Sequence, residues 1–133
     1  MTIQHTGACL CGAIRIAVAG ALEYPPEACH CSQCRKQTGH FLAGVNVRKT
    51  ALKVKGQDQI GWFQSSAAVK RGFCKVCGST LFWQPIDPAY EWTGVLAGLF
   101  DTPIGAPLSK HTFVKDKGDY YQIDDGAPQH DEF

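Results

Sequence analysis

Apolar positions along the chain come in short bursts, broken by glycine, proline and polar turns, and no stretch keeps a long helical period. The bursts mix β-branched and aromatic residues with small ones, a composition that fits pleated, half-buried segments. The pattern predicts strands over Ala13–Val18, Ala28–Cys31, Phe41–Val47, Leu52–Lys55, Ile60–Gln64, Val69–Cys74, Thr80–Trp83, Glu91–Ala97, His111–Val114 and Tyr120–Ile123. Gly39, Gly56, Gly78, Gly105 and Gly118 read as turns, and Ser32 to Thr38 as one helical turn capped by Ser32. Trp62, Phe63, Phe73, Phe82, Trp83 and Trp92 read as core or sheet-face aromatics, one or two of which could line a cleft; Lys70-Arg71 reads as a solvated strand end that could instead meet the carboxylates of a peptide, and Asp124-Asp125 as an exposed turn. The polar, acidic stretch Asp124–Phe133 is expected to pack loosely. The expectation is a mainly β protein with one domain over residues 1–133.

Composition narrows the class. Of 133 residues, 44% are hydrophobic and 19% charged, which is ordinary for a globular domain. The formal net charge of +1 offers no broad basic field for nucleic acid or anionic membrane. No apolar run approaches the roughly 20 residues of a membrane span, and the start Met1 to Gly7 lacks the basic and apolar stretches of a signal peptide. The reading is a soluble, cytoplasmic protein.

That compartment changes how the seven cysteines are read, because in a reducing cytosol clustered cysteines point to metal or catalysis rather than disulfides. They fall into three groups: Cys9 and Cys11; Cys29, Cys31 and Cys34; and Cys74 and Cys77. On a strand, residues i and i+2 share a face, so Cys9 can aim with Cys11 and Cys29 with Cys31, while His30 points the other way. Cys74-Lys75-Val76-Cys77-Gly78 is a knuckle turn whose glycine tolerates positive φ and whose amides can reach the sulfurs. Cys11-Gly12 ends in the same way.

Two groupings are possible. Cys9, Cys11, Cys74 and Cys77 can close one tetrahedral zinc site, leaving Cys29, Cys31 and Cys34 as a second with a vacant position. Alternatively, Cys31/Cys34 and Cys74/Cys77 form one ribbon-like site. The first is preferred, because it uses every cysteine and ties the N-terminal region to the middle of the chain. One closed and one open site suggest a metalloenzyme, unless His40 or His5 fills the vacancy. Arg35 and Lys36 follow Cys34; they either stabilise the anionic cluster and lower the Cys34 thiol pKa, or are two solvated surface cations.

The cysteine clusters with their flanks, Gly7-Ala8-Cys9-Leu10-Cys11-Gly12, Cys29-His30-Cys31-Ser32-Gln33-Cys34-Arg35-Lys36 and Phe73-Cys74-Lys75-Val76-Cys77-Gly78-Ser79-Thr80-Leu81, resemble the glutathione-dependent formaldehyde-activating enzyme family, which also includes centromere protein V. The ending His111-Thr112-Phe113-Val114-Lys115-Asp116-Lys117, with Tyr121 and Asp124-Asp125, is similar too. The resemblance implies a β-tent of small folded antiparallel sheets pinned by zinc. It implies a structural zinc on Cys9, Cys11, Cys74 and Cys77 and a catalytic zinc on Cys29, Cys31 and Cys34. It further implies a carbon–sulfur lyase that forms S-(hydroxymethyl)glutathione from glutathione and formaldehyde, or acts on a related thiol and aldehyde. In that chemistry the thiol loses its proton at the open position and is held beside the carbonyl, with His40 as a candidate proton donor and His111 a possible member of the site. The rival readings are a zinc-stapled binding module without turnover, since folds of this kind also bind partners, and a redox or zinc-buffering thiol protein.

Overall fold

The computed structural model describes residues 2–133. In chain order the strands are β1 (Ile3–Ala8), β2 (Arg15–Ala19) and β3 (Glu27–Cys29), then helix α1 (Ser32–Thr38), then β4 (Leu42–Arg48), β5 (Leu52–Lys55) and β6 (Ile60–Gln64). They continue with β7 (Val69–Cys74), β8 (Thr80–Pro85), β9 (Trp92–Leu96) and β10 (His111–Thr112). β1-β2-β5 form a three-stranded antiparallel sheet. The other strands form a seven-stranded sheet ordered β10-β3-β4-β9-β8-β7-β6, antiparallel except for the β10–β3 pair.

The two sheets share one core. Ile16 and Val18 of β2 meet Val45 and Val47 of β4, Val95 of β9 and Ile60 of β6, with alternate residues of β2 turned outward as the pleat requires. Each such aliphatic side chain contributes roughly 1.5–3 kcal/mol on burial, so apolar contact between the sheets is a large favourable term. In β8 the alternation fails locally. Phe73 opposes Thr80 while Gly72 opposes Phe82, so Leu81 is an extra residue and a bulge. Leu81 and Phe82 are therefore both buried in succession. β1 is tied to the chain after β9 where Gly7 meets Phe100; a Cβ on Gly7 would lie 2.1 Å from the Leu99 carbonyl oxygen.

Several expectations change. β1 was not anticipated: Ile3-Gln4-His5-Thr6-Gly7-Ala8 is an edge strand with little apolar alternation. Tyr120–Ile123 is not a strand; the Lys117 ammonium donates to the carbonyls of Gly118 and Tyr121, and the Tyr121 ring stacks on His30. The helix cap is Cys31, whose sulfur accepts from the Cys34 amide, and Ser32 is already helical. The last residues pack back on the chain instead of lying loose. His111 N–H donates to Pro128, His130 N–H to His111, Val114 N–H to His130 and Phe113 N–H to Glu132. The six tryptophan and phenylalanine residues singled out do divide between core and sheet face as expected: Phe82 is core, and Trp62, Phe63 and Phe73 are sheet-face residues open to solvent.

Candidate metal centres

Cys9 and Cys11 sit in the turn between β1 and β2, not on a strand; Cys74 ends β7 and Cys77 lies in the turn before β8. Their four sulfurs lie within 4.8 Å of one another. Cys9 Sγ and Cys11 Sγ are 3.7 Å apart, and Cys11 Sγ and Cys74 Sγ 3.8 Å. A tetrahedron with zinc–sulfur bonds of about 2.3 Å has edges of about 3.8 Å, so the donor set has the size zinc requires. Each knuckle is shaped by a left-handed glycine, Gly12 at φ +80 and Gly78 at φ +81. Amides of Ile14, Ala13 and Cys77 donate to the sulfurs of Cys9, Cys11 and Cys74.

Ser79 joins the knuckles. Its Oγ accepts from the Leu10 amide at 3.0 Å and lies 3.2 Å from Cys77 Sγ. The Ser79 hydroxyl and amide are the main reasons that the Cys77 thiol is held down at about 5. Cys11 is pushed up to about 11: the Ala13 amide pulls it down, but desolvation and the sulfurs of Cys77, Cys9 and Cys74 outweigh that pull. Four sulfurs this close cannot all ionise without a cation among them, and thiolates are soft ligands that suit zinc.

The second cluster is built where β3 runs into α1. Cys29 ends the strand, Cys31 caps the helix and Cys34 occupies its first turn, buried. The three sulfurs lie within 4.8 Å of one another, and among the described residues no histidine, carboxylate or fourth cysteine joins them. Cys31 is held far below the usual thiol range by Cys29 and then Cys34, which donate to it. Cys34 is driven far up by Cys29, by Cys31 and by burial, and Cys29 is raised chiefly by Cys31. One negative charge is thus shared by three sulfurs, and a soft divalent cation is what would let all three ionise.

The flanking residues divide sharply. Arg71, expected to be solvated, is buried at 4% exposure and reaches Cys34 Sγ with Nη1 at 3.5 Å. Gln33 and Gln37 of α1 accept from the same guanidinium. Arg35 donates to the Asp116 carbonyl, tying α1 to the chain beyond β10. His30 points away from the sulfurs and is fully buried. It lies in a chain that runs from Asp125 through His111 to Tyr121, with His111 Nε2 2.8 Å from Asp125 Oδ2 and His111 Nδ1 2.9 Å from His30 Nε2. Since a carboxylate only accepts, His111 Nε2 donates to Asp125, and the fully buried His30 is the neutral imidazole. Burial, with His111 next, lowers the His30 pKa to about 4, which agrees. Asp125 is therefore an anchor and not merely an exposed turn.

His40 bonds Tyr120 OH through Nδ1 at 2.7 Å, and His5 packs edge-on against Phe100. Neither is a fourth donor to the three-cysteine cluster. A cavity of about 530 Å³ between β2, β4 and β5, lined by Val18, Leu22, Arg48, Lys53 and Trp92 among others, includes none of the seven cysteines. Sequence reasoning missed Arg71, Ser79 and Asp125. Arg71 carried a signal, since it stands three residues before Cys74 and so on the opposite face of the strand.

Known proteins set this arrangement in context. The crystal structure of a Rhodobacter sphaeroides protein superposes with a TM-score of 0.62 at 24% identity, covering 94% of this chain and 98% of that one, which shows a common fold. A Schizosaccharomyces pombe protein named as an uncharacterized lyase is 34% identical over 82 residues, 60% of this chain and 57% of its own length. A Halomonas elongata protein, whose name places it among the glutathione-dependent formaldehyde-activating enzymes, is 30% identical over 127 residues, 89% of this chain and 80% of its own. A sequence profile described as glutathione-dependent formaldehyde-activating enzyme matches residues 4–116, which takes in all seven cysteines together with Arg71 and Ser79. The chain belongs to the glutathione-dependent formaldehyde-activating enzyme family.

Proposed function

We propose that the chain is a single-domain, zinc-dependent carbon–sulfur lyase that joins glutathione and formaldehyde to S-(hydroxymethyl)glutathione, or acts on a related thiol and aldehyde. Cys9, Cys11, Cys74 and Cys77 hold a structural zinc, and Cys29, Cys31 and Cys34 hold a second. The observation that carries the reading is the second cluster: three sulfurs within 4.8 Å of one another and no fourth protein donor among the described residues. Zinc bound there would supply a Lewis acid that lowers the pKa of a thiol.

In the reaction the thiol sulfur bonds to the carbonyl carbon, the carbon–oxygen double bond opens, and the proton lost from sulfur is matched by one gained at the new hydroxyl. The chain's part is placement. Cys29 is fixed by the end of β3, Cys31 by its place as the cap of α1, and Cys34 by the first turn of that helix. Holding the two reactants at one point removes much of the entropic barrier to their meeting. All seven cysteines are free thiols, a state that suits a reducing compartment such as the cytoplasm.

Native mass spectrometry with and without glutathione tests the reading. Two zincs are expected, with a glutathione adduct that depends on the second. The Cys34→Ser protein should keep its fold and one zinc while losing the adduct and turnover at least about 100-fold, the size of effect expected when a principal electrostatic contributor to a reaction is removed. A single zinc with no adduct would favour a zinc-stapled binding module, and full turnover by Cys34→Ser would remove the catalytic assignment.

A further inference from the structure

We propose that Arg71 is the counter-charge of the three-cysteine site, a buried positioning residue that sets how tightly the site holds its metal. The inference rests on the reading of that cluster as a zinc site. Arg71 is the only permanently charged side chain among the buried described residues. It has no carboxylate partner; the ion pairs of the described residues involve Arg48, Lys110, His111 and Lys115. Its neighbours are otherwise neutral: Ser65 Oγ at 3.1 Å from Nε, Gln37 Oε1 at 3.1 Å from Nη1 and Gln33 Oε1 at 3.4 Å from Nη2. The one partner able to carry negative charge is Cys34 Sγ, with Cys29 and Cys31 grouped beside it.

A guanidinium buried without a counter-ion is among the costliest arrangements a protein can adopt. Three thiolates around a divalent cation sum to one negative charge, and Arg71 brings that sum to zero. The geometry assigns a second task. Gln33 and Gln37 stand on either side of Cys34 in α1, so the planar fork grips the helix across the sulfur and fixes its direction. Four of the five N–H groups are engaged in this way, which makes Arg71 a support for the ligand and not a receptor for a substrate carboxylate.

The test is zinc competition against a chromophoric chelator, together with the absorption spectrum of the cobalt-loaded protein, for wild type, Arg71→Met and Arg71→Lys. Arg71→Met should weaken the second site 10- to 100-fold, the range found when an outer-shell partner of a metal ligand is lost. Arg71→Lys, which keeps the charge but loses the fork, should fall between it and wild type. The four-cysteine site should be unchanged in both, and the cobalt bands of the second site should shift in Arg71→Met. Wild-type affinity in folded Arg71→Met, or equal losses in the two variants, would overturn the inference. If Arg71→Met does not fold, the double variant Gln33→Leu/Gln37→Leu, altered only at the helix surface, replaces it. A several-fold loss at the second site is then expected, and no loss would overturn the proposal. A wild-type protein that binds a single zinc would instead remove the underlying reading.

Discussion

At the scale of single residues, the Ser79 hydroxyl joins the two knuckles of the four-cysteine cluster, and the Arg71 guanidinium reaches Cys34 of the three-cysteine one. Seven cysteines in tight groups announce themselves through spacing, because a turn brings i and i+2 or i and i+3 sulfurs to one point. Ser79 does not, since a serine after a glycine is an ordinary turn residue until its partners are known. Its oxygen receives the Leu10 amide of one knuckle and meets Cys77 of the other. Ser79→Ala should therefore lower zinc affinity at the four-cysteine site 10- to 100-fold, as losses of outer-shell partners do, and leave the three-cysteine site untouched. Chelator competition monitored at each site checks this, and equal affinity in the variant would reduce Ser79 to a surface contact. Arg71 shows the converse difficulty. A Lys-Arg pair near a strand end is usually solvated, and only the approach of α1 to β7 makes the second of them buried.

At the scale of elements, strand positions read well where residues are packed on at least one face and poorly at the margins. β4 to β8 fall close to the expected spans because β-branched and aromatic residues mark them. Tyr120–Ile123 carries the same residue types but uses them to cover His30 and His40, a tertiary contact that no local pattern reveals. The tail after residue 124 looked loose for its polarity, yet it pairs with β10 and supplies Asp125 to the His111–His30–Tyr121 chain. The Asp125 carboxyl is held below the usual range by the Ala127 amide and by His111, both donating to it. A carboxylate with a depressed native pKa stabilises the fold above its unfolded pKa, about 4, and loses that contribution as the pH falls through the native value. The stability gap between wild type and Asp125→Asn should thus be constant from pH 7 to about 5 and narrow below about 4. Urea unfolding across that range measures it, with metal loss in acid common to both proteins. A gap independent of pH would mean that the His111–Asp125 contact contributes nothing ionic.

At the scale of the whole molecule, the two clusters do different mechanical work. The four-cysteine cluster brings the β1–β2 turn of the small sheet to the β7–β8 turn of the large one, so a metal held there would clamp the sheets together. The three-cysteine site belongs to β3 and α1 alone. Structural zinc sites are worth about 10–16 kcal/mol, as much as the 5–15 kcal/mol by which whole domains are stable. Mild chelation should then remove one zinc with little change in near-ultraviolet circular dichroism, and strong chelation should remove the other and unfold the protein. Loss of both metals with the fold intact would show that apolar packing alone suffices. β7 links the two sites. Cys74 and Arg71 stand an odd number of residues apart on a regular strand, one facing the clamp and the other facing Cys34. A slip of one residue would send the sulfur to the helix side and the guanidinium into the apolar core. A metal held by the four cysteines would accordingly act as a proofreader of strand register, and the arrangement around Cys34 would form only in chains that had passed that check.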